Sequence, residues 1–281
     1  MSGTLYLVGT PIGNLGDLTE RARETLGSVD LVAAEDTRRA GRLLARLGID
    51  ARTISFFEGN EERRAPQLLQ RLREGERVAL ISDAGMPGLS DPGYRLVRGC
   101  VEAGIDVRVI PGPSASVSAL VLSGLPTDRF VFEGFLPRRT GDRRARLRAL
   151  ADLPHTLVLF ESPRRVAALL RELIDELGDR RVAIARELTK RHEEVLRGTA
   201  SELLEVLGER ELRGETVVVI EGARDRRPDV LDLDHLVKEA RTLVRRGLRK
   251  RAAAAGVAHA HGGSANAIYR RLLEDERDGR D

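Results

Sequence analysis

Residues 78–93 constrain this chain most: Val78-Ala79-Leu80-Ile81, then Ser82-Asp83-Ala84-Gly85-Met86-Pro87-Gly88-Leu89-Ser90-Asp91-Pro92-Gly93. The short apolar run predicts a strand buried on both faces. The run stops at Ser82-Asp83, and a loop dense in Gly and Pro follows. Ser90 or Asp91 is expected to cap a helix through Leu96, Val97 and Val101. Strand, small-residue loop and helix, in that order, put the loop at the carboxyl edge of a parallel sheet. Ligands bind there in open α/β folds. Gly85 and Gly88 let backbone approach a ligand, and Asp83 offers a carboxylate to a hydroxyl or amine. An ordinary tight βα connection carries the same punctuation, so this stretch alone leaves both readings open.

The pattern recurs through the first half. Leu5–Val8 runs into Gly9-Thr10-Pro11-Ile12-Gly13-Asn14-Leu15-Gly16-Asp17, and Thr19 is expected to cap the next helix. The glycines of that loop lack G-x-G-x-x-G spacing, which removes support for a nicotinamide or flavin site. Leu31–Ala34 ends in Glu35-Asp36-Thr37-Arg38, where Asp36 or Thr37 can cap a helix and the remaining polar groups can wall a site. Thr53–Phe57 and Val107–Ile110 read as further strands. Ser114, in Pro111-Gly112-Pro113-Ser114-Ala115-Ser116, is placed to cap an apolar helix through Leu122, whose first amides could hold a carboxylate. Repeated strand–loop–helix units argue for a parallel sheet.

Near Leu125-Pro126 the texture changes. Phe130–Glu133, Thr156–Phe160, Val182–Ala185, Glu194–Gly198 and Thr216–Ile220 read as a second strand series. The segment from Arg138 to Arg146 is crowded with Arg, either a solvated helix face or an electrostatic footprint for a polyanion. Lys190, Lys238 and Lys250 are the only lysines among 47 basic residues, leaving 44 Arg. Coding bias toward Arg would give the same count, so position says more than number. After a polar linker at 224–229, helical patterns carry Arg241, Arg245, Arg246, Arg249, Lys250 and Arg251. A Gly262-Gly263 turn and a last helix through Ile268 and Leu272 follow. This end suggests a small nucleic-acid-binding module, or equally a dimerisation appendage. His259 and His261 have no acidic or Cys partner nearby, so no metal site is expected. The single Cys100 excludes an internal disulfide. With 281 residues and 41% hydrophobic content, two domains with real cores are affordable. No apolar run approaches membrane-spanning length and the N-terminus lacks a signal pattern, so a cytoplasmic, non-membrane protein is expected.

Seven motifs stand in order: Gly9–Leu15, Ala34–Arg38, Ser82–Pro87, Asp91–Tyr94, Pro111–Ala115, Glu133-Gly134-Phe135-Leu136-Pro137 and Arg186-Glu187-Leu188-Thr189-Lys190. Together they resemble the tetrapyrrole-methylase superfamily, and within it the branch that methylates a cytidine 2′-oxygen of bacterial small-subunit (16S) ribosomal RNA. The resemblance implies two α/β domains with S-adenosylmethionine (SAM) in the cleft between them, plus a small C-terminal helical module. The expected bounds are 1–125, 126–223 and 224–281. It assigns the cofactor to Ile12, to Asp83, Ala84, Gly85 and Met86, to Ser114 and Ala115, to Phe160 and Glu161, to Leu188, and to Glu221 and Gly222. A homodimer is also implied. The branch commonly has Lys-Lys before its Asn-Ala-Leu-Tyr; here Ser264-Ala265 precede Asn266-Ala267-Ile268-Tyr269, so RNA contacts are expected on the earlier cations and not on that turn.

Methyl transfer to a ribose hydroxyl needs in-line alignment and a group that takes the proton. Glu35, Asp36 and Lys190 are the expected catalytic residues, with Glu161 a further carboxylate on the cleft; Lys190 could act as a base only with a lowered pKa. RNA phosphates are expected at Arg38, Arg138, Arg139, Arg143, Arg144, Arg186, Arg245, Arg246 and Arg249. Two other functions fit parts of the chain: methylation of a tetrapyrrole on the same fold, and non-catalytic nucleic-acid binding through the basic tail.

Overall fold

The computed structural model describes residues 2–208, 210, 212–223, 233–261 and 264–277. These fall into two compact units, one of residues 1–151 and 155–222, the other of 152–154 and 223–281. The expected linker at 224–229 and the Gly262-Gly263 turn lie outside the described residues.

The first unit holds two five-stranded sheets. The first comprises β1 (Thr4–Val8), β2 (Leu31–Ala34), β3 (Thr53–Ser55), β4 (Val78–Ile81) and β5 (Asp106–Ile110), in the order β3-β2-β4-β1-β5. Every pairing is parallel. In β4, Val78 and Leu80 join a core with Leu5, Leu31 and Leu96, while Ala79 and Ile81 join one with Val8, Val32 and Leu44 on the other face. This alternation is why the run is continuously apolar. The faces are covered by α1 (Glu20–Ser28), α2 (Thr37–Leu47), α3 (Glu58–Arg73) and α4 (Tyr94–Glu102).

Thr19 caps α1 through Ala22 N–H, and Asp36 caps α2 through the N–H groups of Arg38 and Arg39. Ser90 and Asp91 do not cap α4: its N-cap is Gly93, at φ 142°. Pro92 explains the delay, because the residue before a proline is pushed out of the helical region. Asp91 is thereby freed to turn elsewhere. Cys100 is buried on α4, and burial alone pushes its thiol up to about 11.

Helix α5 (Ala115–Ser123) follows β5 but packs on the second sheet. Its Ala119 and Leu120 share a core with Ile12, Val158, Ala183, Leu188 and Val217. That sheet comprises β6 (Phe130–Phe135), β7 (Thr156–Glu161), β8 (Arg181–Arg186), β9 (Glu194–Thr199) and β10 (Thr216–Ile220), in the order β6-β7-β10-β8-β9. It is mixed: β6 and β7 are parallel, and β10 runs antiparallel to both neighbours. Helices α6 (Thr140–Leu150), α7 (Val166–Leu177) and α8 (Ala200–Leu207) accompany it.

The second unit contains α9 (Leu233–Arg245), α10 (Lys250–His261) and α11 (Ala265–Arg277), packed around Leu236, Ala240, Ala254, Val257 and Ile268. No helix among the described residues is long and apolar enough to cross a membrane.

Candidate active site

Four loops meet where the carboxyl ends of the first sheet face the second. Thr10 and Gly85 exchange backbone hydrogen bonds of 2.9 and 3.1 Å, which ties the loop after β1 to the loop after β4. Gly9 and Gly112 pack backbone on backbone: a Cβ on Gly9 would stand 2.7 Å from the Gly112 Cα. Only two glycines allow the loops after β1 and β5 to come this close.

Between these loops and the second sheet lies a cavity of about 1000 Å³. The first sheet contributes Ile12, Glu35, Asp83, Ala84, Gly85 and Met86, and Asp91 reaches it from the same loop. Ser114 and Ala115 bring the N-terminus of α5. The second sheet supplies Phe160 and Glu161, Leu188, and the Gly214–Val217 strand start. Ten of the twelve residues assigned to the cofactor are thus brought together. Glu221 and Gly222 are not. In β10 it is Thr216 that pairs with Glu161, while Ile220 pairs with Leu157. An antiparallel strand presents its start to the cleft, so Gly214, Glu215 and Thr216 stand where Glu221 and Gly222 were expected.

One end of the cavity is acidic. Asp83 N–H donates to Glu35 Oε2 at 3.4 Å, and Asp83 Oδ1 accepts from Asp36 N–H at 3.1 Å. Arg39 pairs with Asp83 at 3.2 Å. Burial raises the Glu35 carboxyl, and the neighbouring Asp83 charge adds to it. Burial likewise pushes Asp91 up to about 6 against a hydrogen bond from Ser82, with the charges of Glu35 and Asp83 contributing. Asp91 reads in the sequence as a helix cap and as the start of the Asp91–Tyr94 motif, and neither reading assigns it to the cavity.

The opposite feature is the start of α5. Ser114 occupies the N-cap position, but its hydroxyl pairs with Ser116 Oγ at 3.0 Å and makes no cap bond. The first-turn amides therefore keep their capacity for an anion. Phe135 and Phe160, with centroids 5.4 Å apart, and Leu136 and Leu188 form an apolar wall.

Two expected catalytic residues have other work. Asp36 is the α2 cap and is chelated by Arg38, whose side-chain hydrogen bonds hold it down at about 2. Lys190 reaches Glu187 Oε1 at 2.9 Å and Glu215 Oε2 at 3.0 Å. Burial pulls its pKa down, but the two carboxylates outweigh this and leave it raised. The two carboxylates favour its ammonium form. Lys190 straps a loop in which Glu187 and Thr189 both adopt left-handed backbone, at φ 51° and 64°. Glu161, the further carboxylate, is buried and paired with Arg165 at 3.4 Å.

The expected phosphate-binding arginines divide. Arg143 is buried and forks onto Glu172, while Arg144 pairs with Asp175 and Glu176. With Arg148 on Glu176, these arginines of α6 form an ion-pair ladder against α7, while Arg146 pairs with Glu133 of β6. Arg186 is held by Glu194 at 3.1 Å and by the Arg213 carbonyl. Arg38 is 86% exposed but shares Asp36. Arg138 lines the cavity, Arg139 is exposed before α6, and Arg245, Arg246 and Arg249 are exposed in the second unit. A second hollow of about 400 Å³ adjoins the cavity and shares Arg39 and Asp83 with it.

A family model described as tetrapyrrole (corrin/porphyrin) methylases matches residues 4–204, and the chain belongs to that family. Among solved structures it is similar to uroporphyrin-III-C-methyltransferase from Thermus thermophilus. The TM-score is 0.56 at 25% identity, over 77% of this chain and 94% of that one. Over nearly its whole length it is similar to proteins named ribosomal RNA small subunit methyltransferase I. The Micromonospora olivasterospora protein is 49% identical, covering 99% of this chain and 89% of the relative. The Escherichia coli O157:H7 protein is 46% identical, covering 98% and 96%.

Proposed function

We infer that this protein is an S-adenosylmethionine-dependent methyltransferase acting on small-subunit (16S) ribosomal RNA, and we propose a cytidine 2′-hydroxyl as the acceptor. Relatives 46% and 49% identical along the whole chain carry the ribosomal RNA name, which favours RNA over a tetrapyrrole. The observation that carries the reading is the cavity's polarity. Carboxylates of Glu35, Asp83 and Asp91 mark one end, and the uncapped α5 amides mark another. SAM is a zwitterion with cationic centres, a carboxylate, a ribose and an adenine, and this donor set fits it. When bound there it supplies an electrophilic methyl group.

The chain's own residues then have assignable tasks. Asp83 accepts charge-assisted hydrogen bonds from the ligand, steadied by Arg39. Ser114 and Ala115 offer backbone N–H groups to a carboxylate. Ile12, Met86, Phe160 and Leu188 cover the apolar part and exclude water. Glu35 and Asp91 are the proton acceptors we propose for the 2′-hydroxyl, because their raised pKa values make them stronger bases than an ordinary carboxylate. With SAM held there, Glu35 or Asp91 would take the proton that the 2′-hydroxyl gives up as its oxygen is methylated. Asp36 and Lys190 serve as cap and strap.

Arg138 and Arg139 beside the cavity, and Arg245, Arg246 and Arg249 in the second unit, are proposed as RNA contacts. The bounds 1–125, 126–223 and 224–281 are retained as proposed domain limits. A ribosomal RNA substrate implies a cytoplasmic protein. We also propose a homodimer, supported by edge strand β5, which leaves Val109 exposed, and by Val117 and Val121, one turn apart on α5 and 48% and 68% exposed. A monomer in light scattering at micromolar concentration would contradict the dimer. The function is tested by titration calorimetry with SAM, which should show saturable binding to the full chain; absence of heat would contradict the cofactor assignment.

A further inference from the structure

The smaller hollow beside the cavity has its own chemistry. Arg39, Arg42 and Arg46 line it, at positions i, i+3 and i+7 of α2, which put three guanidinium groups on one helix face. Arg39 is engaged by Asp83. Arg42 and Arg46 are exposed and make no ion pair or side-chain hydrogen bond among the described residues. Across from them, Pro11 and Leu15 of the first loop join Leu43 in an apolar floor. Leu15 is one of the exposed large apolar side chains. The hollow adjoins the cavity, and the ion-paired Arg39 and Asp83 line both.

A cationic rim over an apolar floor suits a single nucleic-acid strand: phosphates meet the guanidinium forks, and a sugar or base covers the apolar patch. We propose that this groove holds the single-stranded RNA flanking the acceptor nucleotide, with Arg42 and Arg46 on successive phosphates and Leu15 and Leu43 beneath the intervening nucleoside. The assignment rests on the function proposed above and deepens it. It gives the RNA a path along α2 beside the cavity, whereas the arginines of α6 are engaged by carboxylates of α7 and β6.

The test is fluorescence anisotropy with a labelled fragment of small-subunit ribosomal RNA spanning the methylated nucleotide, compared between the full chain and its R42Q/R46Q variant over a salt series. Both positions are exposed, so the melting temperature and the SAM affinity should match the parent protein. Two lost contacts should make the slope of log K against log salt shallower by about 1.4, at roughly 0.7 per phosphate on a single strand. R42K/R46K should restore most of the slope, since charge is retained. An unchanged slope in R42Q/R46Q, with RNA binding by the parent intact, would overturn the groove and leave the function standing. Normal binding of the fragment with impaired methylation of whole subunits would move the groove to a protein contact and also overturn it. A parent protein that binds no ribosomal RNA at all would instead refute the function on which the groove rests.

Discussion

The backbone N–H of Asp83 points at Glu35 Oε2 across 3.4 Å, so the ends of two neighbouring parallel strands, β4 and β2, set two carboxylates side by side at one cavity. Asp91 adds a third from the far end of the same loop. Among the described residues, Arg39 is the one guanidinium paired with these three carboxylates, which leaves an excess of negative charge that a cationic ligand can satisfy.

Asp83→Asn should weaken SAM binding by about 1.5–3 kcal/mol, the range for a hydrogen bond to a charged group. Calorimetry reads this as roughly 10- to 150-fold in Kd, with the circular dichroism spectrum unchanged. An unaltered Kd would remove Asp83 from the site.

Asp91 should show in the pH profile. A base must be deprotonated, so kcat/KM should rise with pH through about 6 and then level. Asp91→Asn should lower the plateau and abolish that limb. The same group carries a stability signature of opposite sense. Its folded-state pKa exceeds the ordinary value of 3.8, so its contribution is present below about pH 4 and is lost as pH rises through 6. Asp91→Asn should therefore melt higher than the parent at pH 7.5, with the gap narrowing through pH 5 and closing only below about pH 4.

Lys190 acts as a strap and not as a base, and substitution distinguishes the two. Lys190→Met leaves Glu187 and Glu215 facing each other and should cost about 1–2 kcal/mol of stability, given the partial exposure of the pairs. KM for SAM should rise because Leu188 sits in the strapped loop. The shape of the pH profile should not change, and Lys190→Arg should rescue most of the loss. A pH limb that disappears with Lys190 would make it the base after all.

Much of this architecture is legible from the sequence because it is local. Val78–Ile81, Leu31–Ala34 and Thr216–Ile220 are strands at the expected limits, and Thr19 and Asp36 cap as their positions predict. Non-local pairing is where reading along the chain stops. The direction of β10 depends on neighbours that lie 30 or more residues away, so the strand end at Glu221-Gly222 looks like every other strand end. Within the Arg run at 138–146, nothing local announces that Glu172, Asp175 and Glu176 will neutralise Arg143 and Arg144. Asp91 reads as a cap until Pro92 is seen to hold it outside the helix. Arg42 and Arg46 look like any solvated helix face.

The ladder predicts a contrast between two sets of arginines. Arg143→Ala should destabilise the protein by about 3–5 kcal/mol, because it strands the buried Glu172 carboxylate, while the salt dependence of RNA binding stays as it was. Replacing exposed Arg245, Arg246 and Arg249 together by Ala should leave melting unaltered and flatten that salt dependence. Thermal unfolding and the anisotropy salt series distinguish the two directly.

The central claim is the chemical identity of the product, and one measurement addresses it. Small ribosomal subunits from cells lacking this protein are incubated with the purified full chain and SAM carrying a deuterated methyl group, and the RNA is digested to nucleosides for mass spectrometry. The account predicts the deuterated methyl on the ribose of a single cytidine, absent without enzyme and strongly reduced with Asp91→Asn. Label on a base, or no transfer to RNA under conditions where calorimetry shows SAM bound, would contradict it.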